Sequence, residues 1–141
     1  MTYALSWPLQ QALHAAIAGD AGCGAFFGPR IYDAAPPFGP DAAAEGLYLT
    51  IGDETVVDWS TATDRGARHQ VTLTVYAPRH GYAEAKQAAA AVSDVVLDGT
   101  LAPERGRVVD ARFIGARTRR GEGDALRRIE MRFSVVLEDT V

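Results

Sequence analysis

Two segments near the C-terminus constrain the fold of this chain most, because each alternates between two kinds of side chain. The apolar positions of the second segment are Ile129, Met131, Phe133, Val135 and Leu137. The positions between them are Arg128, Glu130, Arg132 and Ser134. A period of two puts successive side chains on opposite faces, so this segment is predicted to be a half-buried strand with a charged outer face.

The first segment, residues 107–117, is predicted to pair with the second as a β-hairpin. One face carries Val109, Ala111, Phe113 and Gly115, and the opposite face carries Asp110 and Arg112. The hairpin tip is then expected at residues 118–124. A long ribbon with so many arginines indicates contact with other protein chains more than catalysis.

Charge is distributed unevenly along the chain. The formal net charge of −4 and pI of about 5.3 argue against bulk nucleic-acid binding. Between Arg105 and Arg132, however, nine Arg face four acidic residues, a net +5 that leaves −9 for the rest. A basic ribbon on an acidic body favours self-association. The alternative is that the outer arginines pair with acids across the same sheet.

Size and cysteine content limit the class of protein. With 141 residues and 48% hydrophobic content, the chain can bury a real core, and we expect one domain over residues 1–141. A single cysteine, Cys23, excludes an internal disulfide and a multi-cysteine metal site, and favours a reducing cytoplasm. No apolar run approaches the roughly 20 residues of a membrane span.

The N-terminal half is predicted to contain a helix and two strands. Ser6 is the candidate N-cap of a helix over residues 7–18, which the glycine-rich residues 19–24 end. A weak edge strand at Ile31 and Tyr32 precedes an extended connection over residues 34–46. Alternation predicts strands at residues 47–51 and 69–77. Their inward positions are Leu47, Leu49, Ile51, Val71, Leu73 and Val75.

The segment from Gly52 to Arg68 is polar and is predicted to be a long loop, of the kind that is usually functional or ordered by a partner. Gly81 and Tyr82 then open a second helix that ends near Leu97. Its apolar face is Ala85, Ala88, Ala89, Val92 and Val96. The order of elements predicts an α+β fold, a mainly antiparallel sheet of four to five strands with two helices on one face.

Residues that could support catalysis lack the required patterns. Residues 19–24 follow a helix and lack the Gly-Lys-Ser/Thr ending of a phosphate-binding loop. His14, His69 and His80 have no metal-ligand spacing. Asp58, Ser60 and His69 include the types of a nucleophilic triad, but no strand-turn-helix elbow surrounds Ser60. Cys23 is expected to be a small buried hydrophobe. No catalytic residue, metal site or cofactor is therefore predicted.

Several residues are candidates for a subunit or partner interface. Trp59 lies mid-loop among acidic residues, where an aromatic side chain can anchor a partner. Tyr48 could do the same or could cover its own sheet. The basic candidates are Arg112, Arg117, Arg119, Arg120, Arg128 and Arg132. Arg117, Arg119 and Arg120 form either a mobile basic finger at the hairpin tip or a solvated loop.

The arrangement resembles a family of small tail-completion or tail terminator proteins from long-tailed phages and phage-derived gene transfer agents. The first matching features are the N-terminal helix, the run from Gly28 to Asp33 with its proline stretch, and the run from Leu47 to Gly52. The run from His69 to Tyr76, the helix opened by Gly81 and Tyr82, and the C-terminal hairpin complete the match. The resemblance covers nearly the whole chain and includes no catalytic signature.

This resemblance implies a structural protein of particle assembly, with no enzymatic activity. Members are small α+β subunits that form a ring, typically of six, on the head-proximal end of the tail tube. The ring ends tail growth and joins the head connector, with DNA present only in transit. The implied partners are other copies, the tail tube protein and the connector or stopper protein. The implied location is the bacterial cytoplasm during assembly and then the head–tail junction.

Two alternatives stay open from the sequence. The first is a head-side connector or stopper subunit, which is also small and ring-forming. The second, from a different class, is a small α+β ligand-binding or enzymatic module that uses the loop from Gly52 to Arg68. If the arginines make subunit contacts, reversing Arg128 and Arg132 to Glu should prevent assembly and leave the monomer folded.

Overall fold

A computed structural model describes residues 2–33, 46–77, 82–120 and 127–140. Its helices are α1 (Ser6–Gly19), α2 (Ala21–Phe27) and α3 (Ala83–Leu97). Its strands are β1 (Ile31–Tyr32), β2 (Tyr48–Asp58), β3 (Gly66–Ala77), β4 (Arg107–Arg120) and β5 (Arg127–Glu138). The strands form one sheet in the order β1-β2-β3-β5-β4. Only the β1–β2 pair is parallel. The predicted α+β class is therefore confirmed.

One core lies between the three helices and one face of the sheet, called here the inner face. Helix α1 and its N-cap contribute Leu5, Leu9, Leu13 and Ile17. Helix α3 contributes its predicted apolar face together with Val95. The inner face supplies every inward residue predicted for β2, β3 and β5, each 4% exposed or less. The alternating sequence pattern thus placed the core correctly. None of the helices in the described ranges is long and apolar enough to cross a membrane.

The N-terminal region differs from the prediction at two places. Residues 19–24 do not simply end the first helix, because Asp20 starts α2 and its Oδ2 accepts a hydrogen bond from the Cys23 backbone N–H at 2.9 Å. The sheet is therefore covered by three helices instead of two. Ser6 is the first residue of α1, whose N-cap is Leu5, and its hydroxyl instead donates to Glu54 Oε1 at 2.5 Å. The predicted connection over residues 34–46 lies, except for Gly46, outside the described residues.

The prediction of a loop from Gly52 to Arg68 was wrong. Strand β2 continues to Asp58 and β3 begins at Gly66, so only residues 59–65 connect them. The pairing shifts register between Ile51 and Glu54, and Glu54 then lies opposite Val71 on the inner face. The polar sequence hid this strand because an acidic residue occupies an inward position, where hydrogen bonds from Ser6 and His69 satisfy it.

The C-terminal hairpin is confirmed, and its first strand, β4, is longer than predicted. Register shifts at Val109 and Ile114 break the simple alternation of β4. Val108 and Ala111 pack against the core, whereas Val109 is 38% exposed and Phe113 is 48% exposed. The predicted shared face of Val109, Ala111, Phe113 and Gly115 is therefore right only for Ala111 and Phe113, which lie opposite Val135 and Phe133, because the two bulges move Val109 and Gly115 off this face.

Candidate functional site: the outer face and edges of the sheet

The face of the sheet opposite the helices, called here the outer face, carries most of the candidate residues. Its central part is a depression of about 600 Å³. One side of the depression is lined by the neutral residues Thr50, Thr72, Thr74 and Tyr76 and by Asp53, and the other side by Arg117, Arg128, Glu130 and Arg132. The alternation along β3, β4 and β5 brings these arginines together, as the sequence predicted for Arg128 and Arg132.

Some of these arginines are paired within the chain, as the second interpretation of the charge pattern expected. Arg112 Nε lies 2.7 Å from Asp110 Oδ2 on the same strand. Glu130 Oε1 is shared, at 3.2 Å from Arg128 Nε and 3.6 Å from Arg119 Nη1. The Arg128 contact brings opposite charges together without hydrogen-bond geometry. One carboxylate thus serves two guanidinium groups, and the region keeps an excess of positive charge.

Arg117 and Arg132 are exposed and make no ion pair with any of the described residues. The expected basic finger takes a different form, because Arg117, Arg119 and Arg120 lie on β4 itself. Regular β-structure fixes the direction of each side chain, so these guanidinium groups project from a strand and not from an irregular tip. A partner would meet each of them at a defined position.

Two outer-face aromatic residues have different environments. Tyr48 is 5% exposed, stacks on Tyr76 with ring centroids 4.6 Å apart and meets Tyr32 edge-on at 6.0 Å. It covers its own sheet. Burial, together with the neighbouring Tyr76, raises the pKa of the Tyr48 phenol to about 12, so this group stays neutral.

Trp59 is half-buried at the turn between β2 and β3. Its backbone N–H donates to the Gly66 carbonyl at 3.1 Å, and a Cβ on Gly66 would lie 3.3 Å from its ring. The indole lines a second outer-face depression with Arg68 and Arg112. Trp59 therefore closes the turn and still presents part of its surface, and its interface role stays a prediction.

Strand β4 forms one edge of the sheet, since among the described strands it pairs only with β5. Its exposed apolar side chains are Val109, Phe113 and Ile114, the last two each 48% exposed. Phe113 contacts Phe133 edge-on at 5.7 Å and is otherwise open to solvent. Unpaired backbone N–H and C=O groups with apolar side chains beside them are the features through which a sheet edge recruits another chain. The sequence did not reveal this exposure because the bulges cannot be read from it.

The opposite side of the sheet carries an acidic edge that the sequence did not predict. Strand β1 pairs only with Leu49 and Thr50 of β2, so the rest of β2 has no further strand beside it in the described part of the chain. Asp53, Thr55 and Asp58 are exposed there, and Val57 is 47% exposed. Asp58 accepts a hydrogen bond from Ser60 Oγ at 2.6 Å, which lowers the pKa of its carboxyl.

The three candidate catalytic residues do not form a triad. His69 is fully buried and its Nδ1 lies 3.1 Å from Glu54 Oε2, whereas Ser60 hydrogen-bonds to Asp58. Burial, with a hydrogen bond to Asp20, raises the pKa of the Cys23 thiol to about 12, which matches its expected role as a small hydrophobe. No group of three or more potential ligands in the described ranges could hold a metal ion.

In the described residues, a small α+β fold thus presents a basic outer face, a basic edge at β4 and an acidic edge at β2. The sequence matches the family of tail completion protein gp17 over residues 11–138, and the chain belongs to that family. This is a family of structural tail proteins and not of enzymes.

A solved structure agrees with this assignment. The chain is similar to a chain of the virion of a native gene transfer agent particle, with 39% identity and a TM-score of 0.86. The match covers 97% of this chain and 99% of the other. No curated protein matches the sequence. The resemblance stated from the sequence is confirmed at the level of the family.

Proposed function

We propose that this protein caps the head-proximal end of a tail tube as a ring, ends tail growth and forms the joint to the head connector. The observation that carries the proposal is the nearly full-length match to a chain of a gene transfer agent virion, together with family membership over residues 11–138.

The surfaces described above support a ring. A closed ring of identical subunits needs two different, complementary patches on each subunit. The basic edge at β4 and the acidic edge at β2 lie at opposite sides of the sheet and have this property. We take the number of copies as six, the tail tube protein and the head connector or stopper as the further partners, and the head–tail junction as the location.

DNA crosses the lumen of such a ring only in transit. Strong phosphate contacts would slow its passage and would depend steeply on salt, so the arginines are assigned to protein contacts. The candidate interface is Trp59, Arg112, Arg117, Arg119, Arg120, Arg128 and Arg132.

Deletion of the gene tests this proposal when particles are examined by electron microscopy. Overlong tails, or tails without heads, are the expected result. Leaking heads beside normal free tails would instead place the protein on the head side as a connector or stopper. Normal particles would reject both roles. The segment from Gly52 to Arg68, which the alternative of a ligand-binding or enzymatic module takes as a loop, is strand except at residues 59–65.

A further inference from the structure

The two edges of the sheet can be matched residue by residue. In β4 the last register shift lies between Phe113 and Gly115, and from Gly115 to Arg120 the pairing with β5 is regular. This regular stretch is long enough to accept a further strand, whereas the bulged first half of β4 is not. It carries Arg117, Arg119 and Arg120, with exposed Phe113 and Ile114 just before it.

The matching stretch on the other side of the sheet is the part of β2 from Gly52 to Asp58, whose pairing with β3 is regular from Glu54 onward, after the register shift that follows Ile51. It is of similar length and has the opposite charge, since it contains Asp53, Glu54 and Asp58 and no basic residue. Its exposed apolar residue, Val57, lies at the end nearest Asp58. Asp53 makes no ion pair with the described residues, and its carboxylate is available to a cation.

Strand direction decides how the two stretches can meet. Within one subunit β2 is antiparallel to β3, β3 to β5 and β5 to β4, so β4 and β2 run in opposite directions. A head-to-tail contact that continues the sheet repeats these directions in the next copy. Strand β4 of one copy would then lie antiparallel to β2 of its neighbour, in the arrangement whose ladder is slightly the more stable.

We infer that the stretch from Gly115 to Arg120 of one copy adds as a strand to the stretch from Gly52 to Asp58 of the next copy. In the register with Arg117 opposite Thr55, Arg119 lies opposite Asp53 and Gly115 lies opposite Val57. Basic residues then meet the acidic end of β2, and Ile114, which precedes Gly115 and lines the outer face, lies near Val57. This inference rests on the ring proposed above and names its subunit contact.

The face of each side chain agrees with this register. Gly115, Arg117 and Arg119 pair with outer-face positions of β5, and Thr55 and Val57 pair with outer-face positions of β3. Directly opposed residues in an antiparallel pair share a face, so a shift of one residue would place every one of these contacts on the wrong side.

Charge also excludes the competing symmetric contact. Two β4 edges related by a two-fold axis would place Arg117, Arg119 and Arg120 of one copy against the same residues of the other. Like charges directly opposite one another destabilise a strand pair. The acidic β2 edge of another copy is therefore the occupant that the β4 edge selects.

Cysteine crosslinking in particles tests this contact. Thr55→Cys/Arg117→Cys is expressed in the deletion strain, and purified particles are oxidised and run on a non-reducing gel. A ladder of crosslinked subunits is expected, because the opposed Cβ atoms of such a pair approach disulfide distance. The matched control is Thr55→Cys/Thr118→Cys, in which the second cysteine is moved to the inner face and should leave monomers.

Two further results separate the possible outcomes. Co-expressed Thr55→Cys and Arg117→Cys single variants should give mixed dimers only. Crosslinking of Arg117→Cys with itself would establish the two-fold contact and overturn the inference. Particles that carry a ring of this protein by electron microscopy, yet give no crosslink with this pair or with Asp53→Cys/Arg119→Cys, would also overturn it. In both cases tail termination and head joining are tested separately, by the deletion phenotype.

Discussion

At the scale of single residues, Glu54 shows how a charge is accommodated on the helix-facing side of a sheet. Burial pushes the pKa of its carboxyl up. The hydrogen bonds from His69 and Ser6, together with the His69 charge, outweigh burial, and the net pKa lies below the ordinary value of 4.5. This cluster joins the start of α1 to β2 and β3, so it ties a helix to the sheet through polar contacts.

Replacing this carboxylate should change how stability depends on pH. A group whose pKa is lower in the folded state stabilises above its unfolded pKa, and that stabilisation is lost as the pH falls through the folded pKa. The wild type should therefore unfold at lower urea concentrations as the pH falls below about 4.5. Glu54→Gln should be less stable at pH 7 and should show a flatter decline.

The control for this prediction is Asp53→Asn, since Asp53 is the exposed neighbour and makes no ion pair with the described residues. Its profile should match that of the wild type. An unchanged acid dependence in Glu54→Gln would show that other carboxyl groups govern the transition.

Arg132 allows the cleanest test of the outer-face arginines. Glu130 Oε1 lies 3.2 Å from Arg128 Nε. Arg128→Glu would therefore place two carboxylates side by side, and their repulsion would disturb folding. Arg132 is exposed and makes no ion pair among the described residues, so Arg132→Glu should leave the unfolding midpoint of the purified subunit nearly unchanged. It should reduce the yield of particles with joined heads and tails in the deletion strain.

Arg132→Gln separates charge from shape and should give an intermediate yield. If Arg132→Glu restores joined particles as well as the wild type does, the outer-face charge at this position has no part in assembly.

At the scale of elements, α3 depends on small side chains for its close approach to the sheet. Ala88 is fully buried on the apolar face of α3, whereas Ala90 on the same helix is exposed. Extra methylenes in a filled core force neighbouring side chains and backbone to shift, so Ala88→Leu should lower the free energy of unfolding by about 1–3 kcal/mol. Chemical denaturation measures this change.

Ala90→Leu is the matched control, because it adds the same atoms on the solvent side of α3. Its effect should stay within about 0.5 kcal/mol. If Ala88→Leu lowered the free energy of unfolding as little as Ala90→Leu does, the core beside α3 would have room for a larger side chain.

The elements also show which parts of the structure sequence patterns can predict. Alternation in β5 and β3 and the alanine seam of α3 follow from a regular period, and each was placed correctly. The second half of β2 was missed because Glu54 occupies an inward position, and its hydrogen-bond partners are distant in the sequence. Helix α2 was missed because three glycines within residues 19–24 are typical of a turn. Two β4 positions were assigned to the wrong face because a bulge depends on the partner strand.

At the scale of the whole molecule, the charge asymmetry read from the sequence becomes a spatial one. Arginines gather on the outer face and at the β4 edge, and the β2 edge at the other side of the sheet is acidic. The existence of a basic surface could be predicted from the residue count. Its relation to a complementary edge required the strand order, because β2 ends at Asp58 and β4 begins only at Arg107.

The burial of Cys23 has a consequence for any particle that leaves a reducing cell. With a thiol pKa of about 12 and no solvent exposure, almost none of the reactive thiolate forms at neutral pH, and oxidants have no access to the sulfur. Neighbouring copies at a junction would stay free of accidental disulfides, and the subunit would keep its shape in air-saturated surroundings without any enzyme to repair it.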